Sequence, residues 1–356
     1  MRVLACHLLN DYSGSPKVLM QLVNGWIKNG KEVVIVTSYN REGFLSKIKG
    51  AEYSFFWYKW SGSNLKRLFN YFFSQLLIFI KIFLIARKGD IVYVNTVLPF
   101  GAALAGKMRG SKIIYHIHEV SMKPKILKWF LFKIVDSIAD KSIYVSEYVK
   151  NATCKNDTNS LVLYNAIDNE FLMEAMKFEK VSPKRENVLM ISSLKTYKGV
   201  FEFIELARLN GSFNFKLVLN ANQSEIDEFF KEIVIPKNLF LFSAQKNTHP
   251  FYQWADLVLN LSQVNGWIET FGLTIIEAMA YKLPVIVPPV GGITELVDHY
   301  KNGFLIDSKN MELLSNTVNL ILNDANLYNI LKTNSFEKLK NFNEDKFIRN
   351  SLICLN

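Results

Sequence analysis

Cysteine is scarce in this chain. Cys6, Cys154 and Cys354 lie scattered over 356 positions, too few and too far apart for a disulfide framework or a zinc site, so a reducing compartment is the simpler expectation. Glycine and proline are also sparse, at 17 and 9 residues, which excludes collagen-like and low-complexity chains. Charged residues make up only 21% against 49% hydrophobic, which excludes a disordered polyelectrolyte. Acidic residues are the scarcer sign, 32 against 42 basic, leaving a net charge of +10. No nucleic-acid recognition motif accompanies that charge, and nucleic acid is not an expected partner. The apolar run Val3–Leu9 after Arg2 is too short for a signal-peptide core and reads as a first buried strand. Aromatic residues, by contrast, are plentiful at 13%, 27 of them Phe, which allows for apolar surface beyond an ordinary core. The length suggests about two domains.

Short, continuously apolar runs alternate with helix-like stretches. Val3–Leu9, Glu32–Thr37, Ile91–Asn95, Lys112–Ile117 and Lys141–Val145 read as strands, with helices at Pro16–Lys28, Phe100–Arg109 and Ile126–Ala139 between them. Strands of this kind are buried on both faces and belong to parallel sheets. A polar stretch, Glu170–Glu186, reads as a linker. The alternation then restarts, with strands at Asn187–Ile191, Phe215–Leu219, Leu239–Phe242, Leu257–Leu261 and Pro284–Pro288. The expectation is α/β: two Rossmann-like domains, 1–170 and 171–335, facing each other across a cleft, with a C-terminal helix at 336–356 packing back on the first.

The most informative stretch is Glu269 to Leu296, ETFGLTIIEAMAYKLPVIVPPVGGITEL. A helix starting near Gly272 places its free N–H groups and its dipole where a phosphate would be welcome, and glycine permits close approach. Glu269 and Glu277 flank that terminus. If the whole stretch were helical they would stand roughly 12 Å apart, too far to share a proton but suited to bracketing an extended, hydroxyl-rich diphosphate. As an isolated pair they read as well as a helix cap and a solvated helix residue. The apolar frame of Leu273, Ile275, Ile276, Ala278, Met279 and Ala280 makes an unpartnered Glu277 costly and favours the ligand reading.

Glu269–Ile286, Val290–Val297 and Asn302–Leu305 resemble the signature E-x-F-G-L-x-x-x-E-A-M-A, V-G-G-I-x-E-L-V and N-G-F-L of the retaining glycosyltransferases of family four, the "glycosyl transferases group 1". Weaker matches at Lys198-Gly199, Ala255-Asp256, Ser262, Val145-Ser146 and Asn165–Asp168 extend the resemblance over most of the chain. It implies the GT-B fold, a nucleotide-sugar donor and no metal cofactor. It implies that Glu277 holds the ribose, that Glu269 meets the hydroxyls of the transferred sugar, and that Thr270, Phe271, Gly272 and Leu273 present backbone to diphosphate and sugar. Lys198 would contact the diphosphate, His118 of the first domain would stand near the donor sugar, and Gly14 would lie near phosphate and acceptor.

Three departures stand out. The family's Gly-Arg ahead of the lysine reads Ser192-Ser193 here, and Lys195 is the candidate substitute for the arginine. The first loop, Asn10–Ser15, carries Gly14 but no glycine pair, and Asn220–Asn222 lacks glycine altogether. Trp267-Ile268 precede Glu269 and read either as a wall of the donor pocket or as ordinary packing.

Other residues keep two readings. His116 and His118 share a strand face and Glu119 follows; with no third ligand evident, metal is not expected. Asp11 reads as an acceptor-side base or as a cap for the helix at Pro16. Leu68–Ala86 is nearly long enough to span a bilayer, yet Asn70, Ser74, Gln75 and Lys81 interrupt it, and it reads as a buried or membrane-facing helix. Together with Lys66, Arg67, Lys123, Lys125, Lys128 and Trp129 it suggests a membrane-binding patch.

The expectation from residues and resemblance together is a retaining glycosyltransferase. It would act on a lipid-linked glycan, a polyprenyl-diphosphate sugar, in bacterial cell-surface polysaccharide assembly, peripheral to the inner face of the cytoplasmic membrane. The alternatives are a sugar-nucleotide epimerase or phosphorylase on the same fold, or a non-catalytic partner protein that kept it.

Overall fold

Valine, isoleucine and leucine runs too short to be helices become strands buried on both faces, each followed by a crossover helix. The structure, a computed structural model, describes residues 1–39, 42–154, 158–180 and 184–356. It divides into two units, Met1–Asn165 with Asp345–Asn356, and Ala166–Glu344.

In the first unit the strands are β1 (Arg2–Cys6), β2 (Glu32–Ser38), β3 (Glu52–Phe56), β4 (Ile91–Asn95), β5 (Lys112–Ile117), β6 (Lys141–Tyr144) and β7 (Ser160–Val162). They form one sheet in the order β3-β2-β1-β4-β5-β6-β7, and every pairing is parallel. The helices between them are α1 (Gly14–Lys28), α2 (Asn64–Ile85), α3 (Phe100–Met108), α4 (Lys125–Ile138) and α5 (Glu147–Thr153). The core on one face gathers Leu4, Val36, Val94, Ile113 and Tyr115 from the strands against Ile78, Ala102 and Leu131 from the helices.

The second unit repeats the plan. It opens on α6 (Asn169–Met176), and its strands are β8 (Asn187–Ser192), β9 (Asn214–Leu219), β10 (Leu239–Phe242), β11 (Leu257–Leu259), β12 (Val285–Val287) and β13 (Gly303–Leu305), again all parallel in the order β10-β9-β8-β11-β12-β13. Its further helices are α7 (Val200–Leu209), α8 (Gln223–Phe229), α9 (His249–Trp254), α10 (Leu273–Ala280), α11 (Met311–Asn323) and α12 (Ala325–Leu339), and α13 (Glu344–Leu355) closes the chain. In each sheet the strand order reverses once, between β1 and β4 and between β8 and β11. A crevice opens beyond the carboxyl ends of the strands at such a switch point.

The structure redraws two boundaries. The polar stretch expected as a linker is part helix. The Asp168 side chain accepts from the Phe171 amide and caps α6, whose Ala175 is buried in the second unit. The unit therefore begins at Ala166 rather than after residue 170; residues 181–183 of that stretch lie outside the described residues. The return of the chain starts at Asp345 rather than 336. Until then α12 stays with the second unit, with Leu331 and Leu339 buried and the Ser335 hydroxyl donating to the Leu283 carbonyl at 3.0 Å. From there α13 docks on the first unit. Trp26 Nε1 donates to Ser351 Oγ at 3.0 Å, and Lys112 and Lys141 hold the last carbonyls, Leu355 and Cys354, at 3.1 and 2.9 Å. The lysines thus offset the negative end of that helix.

Candidate active site

At the switch point of the second sheet, two loops bring together residues 71 positions apart in sequence. After β8 the chain makes a short 3-10 turn, Thr196–Lys198, and leaves it through Gly199. Gly199 has φ of +77°, and a Cβ there would stand 2.1 Å from the Leu261 carbonyl oxygen. Only glycine fits, and the turn is thereby pinned against the segment that follows β11. Lys198 Nζ reaches Glu269 Oε2 at 2.6 Å, with both side chains mostly buried. Asn260 Nδ2 and Ser262 Oγ face the same oxygen at 3.5 Å. Burial alone would raise the Glu269 carboxyl pKa, but the Lys198 ammonium and these hydrogen bonds outweigh it and hold it below the usual carboxylate range.

Thr270, Phe271 and Gly272 run from Glu269 into α10. Phe271 is buried, its ring edge-on to Phe342 at 5.7 Å. Gly272 is the N-cap with φ of +110°, and Leu273 opens the helix. Among the described residues no side chain caps this terminus and the helix carries no acidic residue in its first turn, which suits its positive end to an anion. Glu277 lies one turn further on and is 7% exposed. Tyr252, from α9, donates its hydroxyl to Glu277 Oε2 at 2.7 Å and is itself stacked on Tyr281 at 5.7 Å. Trp267 stacks on Tyr197 at 5.8 Å, beside Lys198. Ser193 immediately follows β8, and its carbonyl accepts from the Lys195 amide at 2.8 Å. The Lys195 side chain is exposed and joins no ion pair among the described residues. Asp256 is not part of this group. It is a buried anchor, paired with Lys180 at 2.6 Å and accepting from the amides of Glu186 and Asn187.

The first unit carries a second polar cluster at its own switch point. His7 follows β1, Asn95 ends β4 and His118 follows β5. Asn95 is fully buried; its Oδ1 stands 3.0 Å from His118 Nε2, and its Nδ2 donates to the Ser15 carbonyl at 3.0 Å. The His118 ring also lies tilted against that of His116, with centroids 4.4 Å apart. Burial, then the neighbouring imidazoles of His116 and His7, push the His118 pKa well below its ordinary value. Burial alone takes His116 down to about 3. Thr96, a β-branched residue, adopts φ of +73°, a strained conformation of the kind that collects at functional sites. Burial raises the Glu119 carboxyl to about 7, against hydrogen bonds from the Val97 and His118 amides and the Thr96 hydroxyl. Asp11 accepts from the Ser13 amide at 2.9 Å, just ahead of Gly14 at the start of α1. Among the described residues no three His, Cys, Asp or Glu side chains gather as a metal-holding group.

Sequence reasoning named Lys198, Glu269, Thr270–Leu273, Glu277 and His118. It missed Tyr252, Asn260, His7 and Asn95. The available signal was a polar residue at the carboxyl end of an otherwise apolar strand, which Asn95 and Asn260 both display.

The first unit also exposes an apolar helix face. One side of α2 is buried through Tyr71, Ser74, Gln75, Ile78 and Ile82, and Gln75 Oε1 accepts from the Gly101 amide of α3 at 3.1 Å. The other side exposes Leu65, Phe69, Phe72, Phe73, Leu76, Ile80 and Leu84. Phe130 of α4 touches Phe72, and α4 adds exposed Ile126 and Trp129. Lys66, Lys123 and Lys125 are exposed, while Lys128 donates to the Val120 carbonyl at 2.6 Å.

Residues 12–171 match the family model for Glycosyltransferase Family 4, and residues 173–338 that for Glycosyl transferases group 1. The chain is 26% identical over 281 residues to N-acetyl-alpha-D-glucosaminyl L-malate synthase of Bacillus anthracis, covering 73% of this chain and 72% of that one. Its fold is that of Anabaena HepE, solved with UDP and glucose, at 19% identity and a TM-score of 0.80 over 99% of this chain and 98% of the other. WaaG, a glycosyltransferase of lipopolysaccharide biosynthesis, has a TM-score of 0.74 at 13% identity over 99% and 98%. The two units are the Rossmann-like halves of a GT-B fold.

Proposed function

We propose, from the premise that this chain belongs to the glycosyl transferases group 1, that it transfers a sugar from a nucleotide sugar to a lipid-linked glycan with retention of anomeric configuration. The observation that carries the donor half is the run Lys198, Glu269, the uncapped start of α10 and the buried Glu277 held by Tyr252. A cation, a helix N-terminus and two carboxylates offer partners for a diphosphate flanked by two hydroxyl-bearing rings. Glu277 takes the ribose. The diphosphate takes the α10 terminus and Lys198, which leaves Glu269 to accept from the sugar hydroxyls. The acceptor hydroxyl attacks the anomeric carbon on the face of the leaving diphosphate. The bond to the phosphate oxygen breaks and that oxygen receives the proton. Preorganised positive charge from Lys198 and the helix end stabilises the departing diphosphate without a metal in this scheme. His118 serves as a hydrogen-bonding residue toward the donor sugar, and Gly14 and Asp11 serve the acceptor side.

The face of α2 and α4 supports a membrane-borne acceptor. No Asp or Glu occurs between Glu52 and Asp90 or between Glu119 and Asp136, while these stretches hold ten Lys or Arg. Exposed Phe, Leu and Trp amid unopposed positive charge suit the interface of an anionic bilayer. We therefore place the enzyme at the inner face of the cytoplasmic membrane, in cell-surface polysaccharide assembly. Ser193, standing where relatives carry arginine, favours one competing reading, a protein that binds the donor without turning it over.

The test is turnover of UDP-glucose, UDP-N-acetylglucosamine and GDP-mannose with a polyprenyl-diphosphate sugar acceptor, with the linkage of the product read by NMR. Transfer with an α-linked product from an α-linked donor supports the proposal. An inverted linkage refutes retention, and binding without turnover supports the competing reading.

A further inference from the structure

We infer that Asn95 is a positioning residue that fixes the His118 ring with its proton on Nε2 and so presents the Nδ1 lone pair to a substrate hydroxyl. A carbonyl oxygen can only accept a hydrogen bond. The Ser15 carbonyl, 3.0 Å from one terminal atom of the Asn95 amide, therefore requires that atom to be the nitrogen. The second amide hydrogen faces His7 Nδ1 at 3.1 Å. The amide oxygen is then the atom 3.0 Å from His118 Nε2. That oxygen also only accepts, so Nε2 must carry hydrogen; the other tautomer would set two lone pairs against each other in a buried site. Burial and the adjoining imidazoles keep the ring uncharged at neutral pH, which leaves Nδ1 as an acceptor. Asn95 itself has little freedom to turn. It is fully buried at the end of β4, with the strained Thr96 immediately after it.

The chain of constraint thus runs from a backbone carbonyl through an amide to the protonation pattern of an imidazole. A hydroxyl that donates to Nδ1 becomes a richer electron donor at its own oxygen. An imidazole of the opposite tautomer would instead donate to that oxygen. The role toward substrate rests on the donor-sugar assignment of His118 above; the tautomer does not.

The experiment is a long-range ¹H–¹⁵N correlation on the full chain with ¹⁵N-labelled histidine at pH 7.5, with His118 assigned by loss of its signals in His118→Gln. The expected spectrum gives His118 a pyrrole-type Nε2 and a pyridine-type Nδ1. A pyrrole-type Nδ1, or two equivalent nitrogens of an imidazolium, overturns the inference. In Asn95→Leu the preference should collapse to a mixture. Asn95→Ala, which removes the same acceptor with a smaller side chain, should give the same mixture. An unchanged His118 spectrum in a folded Asn95→Leu overturns the role of Asn95, and should Asn95→Leu not fold, the Asn95→Ala and wild-type spectra decide. Failure of the underlying reading is recognised separately: turnover in His118→Ala would stay at the wild-type level although the wild-type tautomer is the expected one.

Discussion

Lys198 and Glu269 hold each other at 2.6 Å with side-chain exposures of 17% and 19%. That places the pair between surface ion pairs, worth about 0.2–1 kcal/mol, and fully buried ones, whose breaking costs about 3–5 kcal/mol. A coupling energy of about 2 kcal/mol follows. The two single truncations should not be equivalent. Lys198→Ala strands a carboxylate whose remaining partners, Asn260 and Ser262, stand at the 3.5 Å limit of a hydrogen bond. Glu269→Ala leaves a long cationic side chain that can turn toward solvent. Lys198→Ala should therefore lose about 2–3 kcal/mol, Glu269→Ala about 1 kcal/mol, and the double variant little more than Glu269→Ala. At about 2–4 °C per kcal/mol for a unit of this size, the first variant should melt about 4–12 °C below wild type. Urea denaturation of the four proteins closes the cycle. Strictly additive losses would refute the pairing. Addition of a nucleoside diphosphate should shrink the coupling, because the diphosphate competes for Lys198; a coupling unchanged by saturating nucleotide would refute the proposed exchange of partners.

Tyr252→Phe removes the hydroxyl that holds Glu277 Oε2 and should weaken nucleoside diphosphate binding by about 1 kcal/mol, or about five-fold. Calorimetry should show most of that loss against the ribonucleotide and little against its 2′-deoxy counterpart. Glu119, with its carboxyl raised to about 7 from 4.5 by burial, gives a pH signature. The folded chain keeps a proton that the unfolded chain releases above about pH 4.5, so this contribution is complete below that pH and is lost as pH rises through 7. Glu119→Gln cannot ionise; relative to wild type it should match at pH 4.5 and gain about 3 kcal/mol by pH 8, and an equal offset at both pH values would contradict the assignment. Phe69→Ser with Phe73→Ser should weaken association with vesicles containing phosphatidylglycerol by about 3 kcal/mol, about a hundred-fold, with no change in melting temperature, since both rings are exposed. Undiminished co-sedimentation would remove α2 from the interface.

Elements that bury both faces announced themselves in the sequence. β1, β2, β4 and β5 are runs of Val, Ile and Leu with almost no alternation, and burial is the reason. β3 did not, because Glu52, Tyr53 and Ser54 belong to a half-exposed edge strand whose composition resembles a loop. α6 reads as linker in the sequence because its outward residues are polar and its stability comes from a cap at Asp168 and packing of Ala175. The site divides along the same line. Glu269 through Glu277 is legible because one loop and one helix carry it in a single stretch. Tyr252 is 25 residues from Glu277, and Asn95 is 88 from His7 and 80 from Ser15. Such contacts exist only once parallel strand order sets the carboxyl ends of β1 and β4 side by side. The motif around Lys198 points to a diphosphate; its pairing with Glu269 depends on a turn that Gly199 and the Leu261 carbonyl hold in place.

The most direct test of the central claim, a nucleotide-sugar site built on α10, is a thermal-shift titration with UDP, GDP, ADP, CMP and dTDP, repeated on Glu277→Ala. At 100 times its dissociation constant a ligand stabilises by about 2.7 kcal/mol, about 5–10 °C for a unit of this size. The account predicts such a shift for one nucleoside diphosphate in wild type and its loss in a folded Glu277→Ala. A shift of equal size in both proteins, or none with any nucleotide, would contradict it.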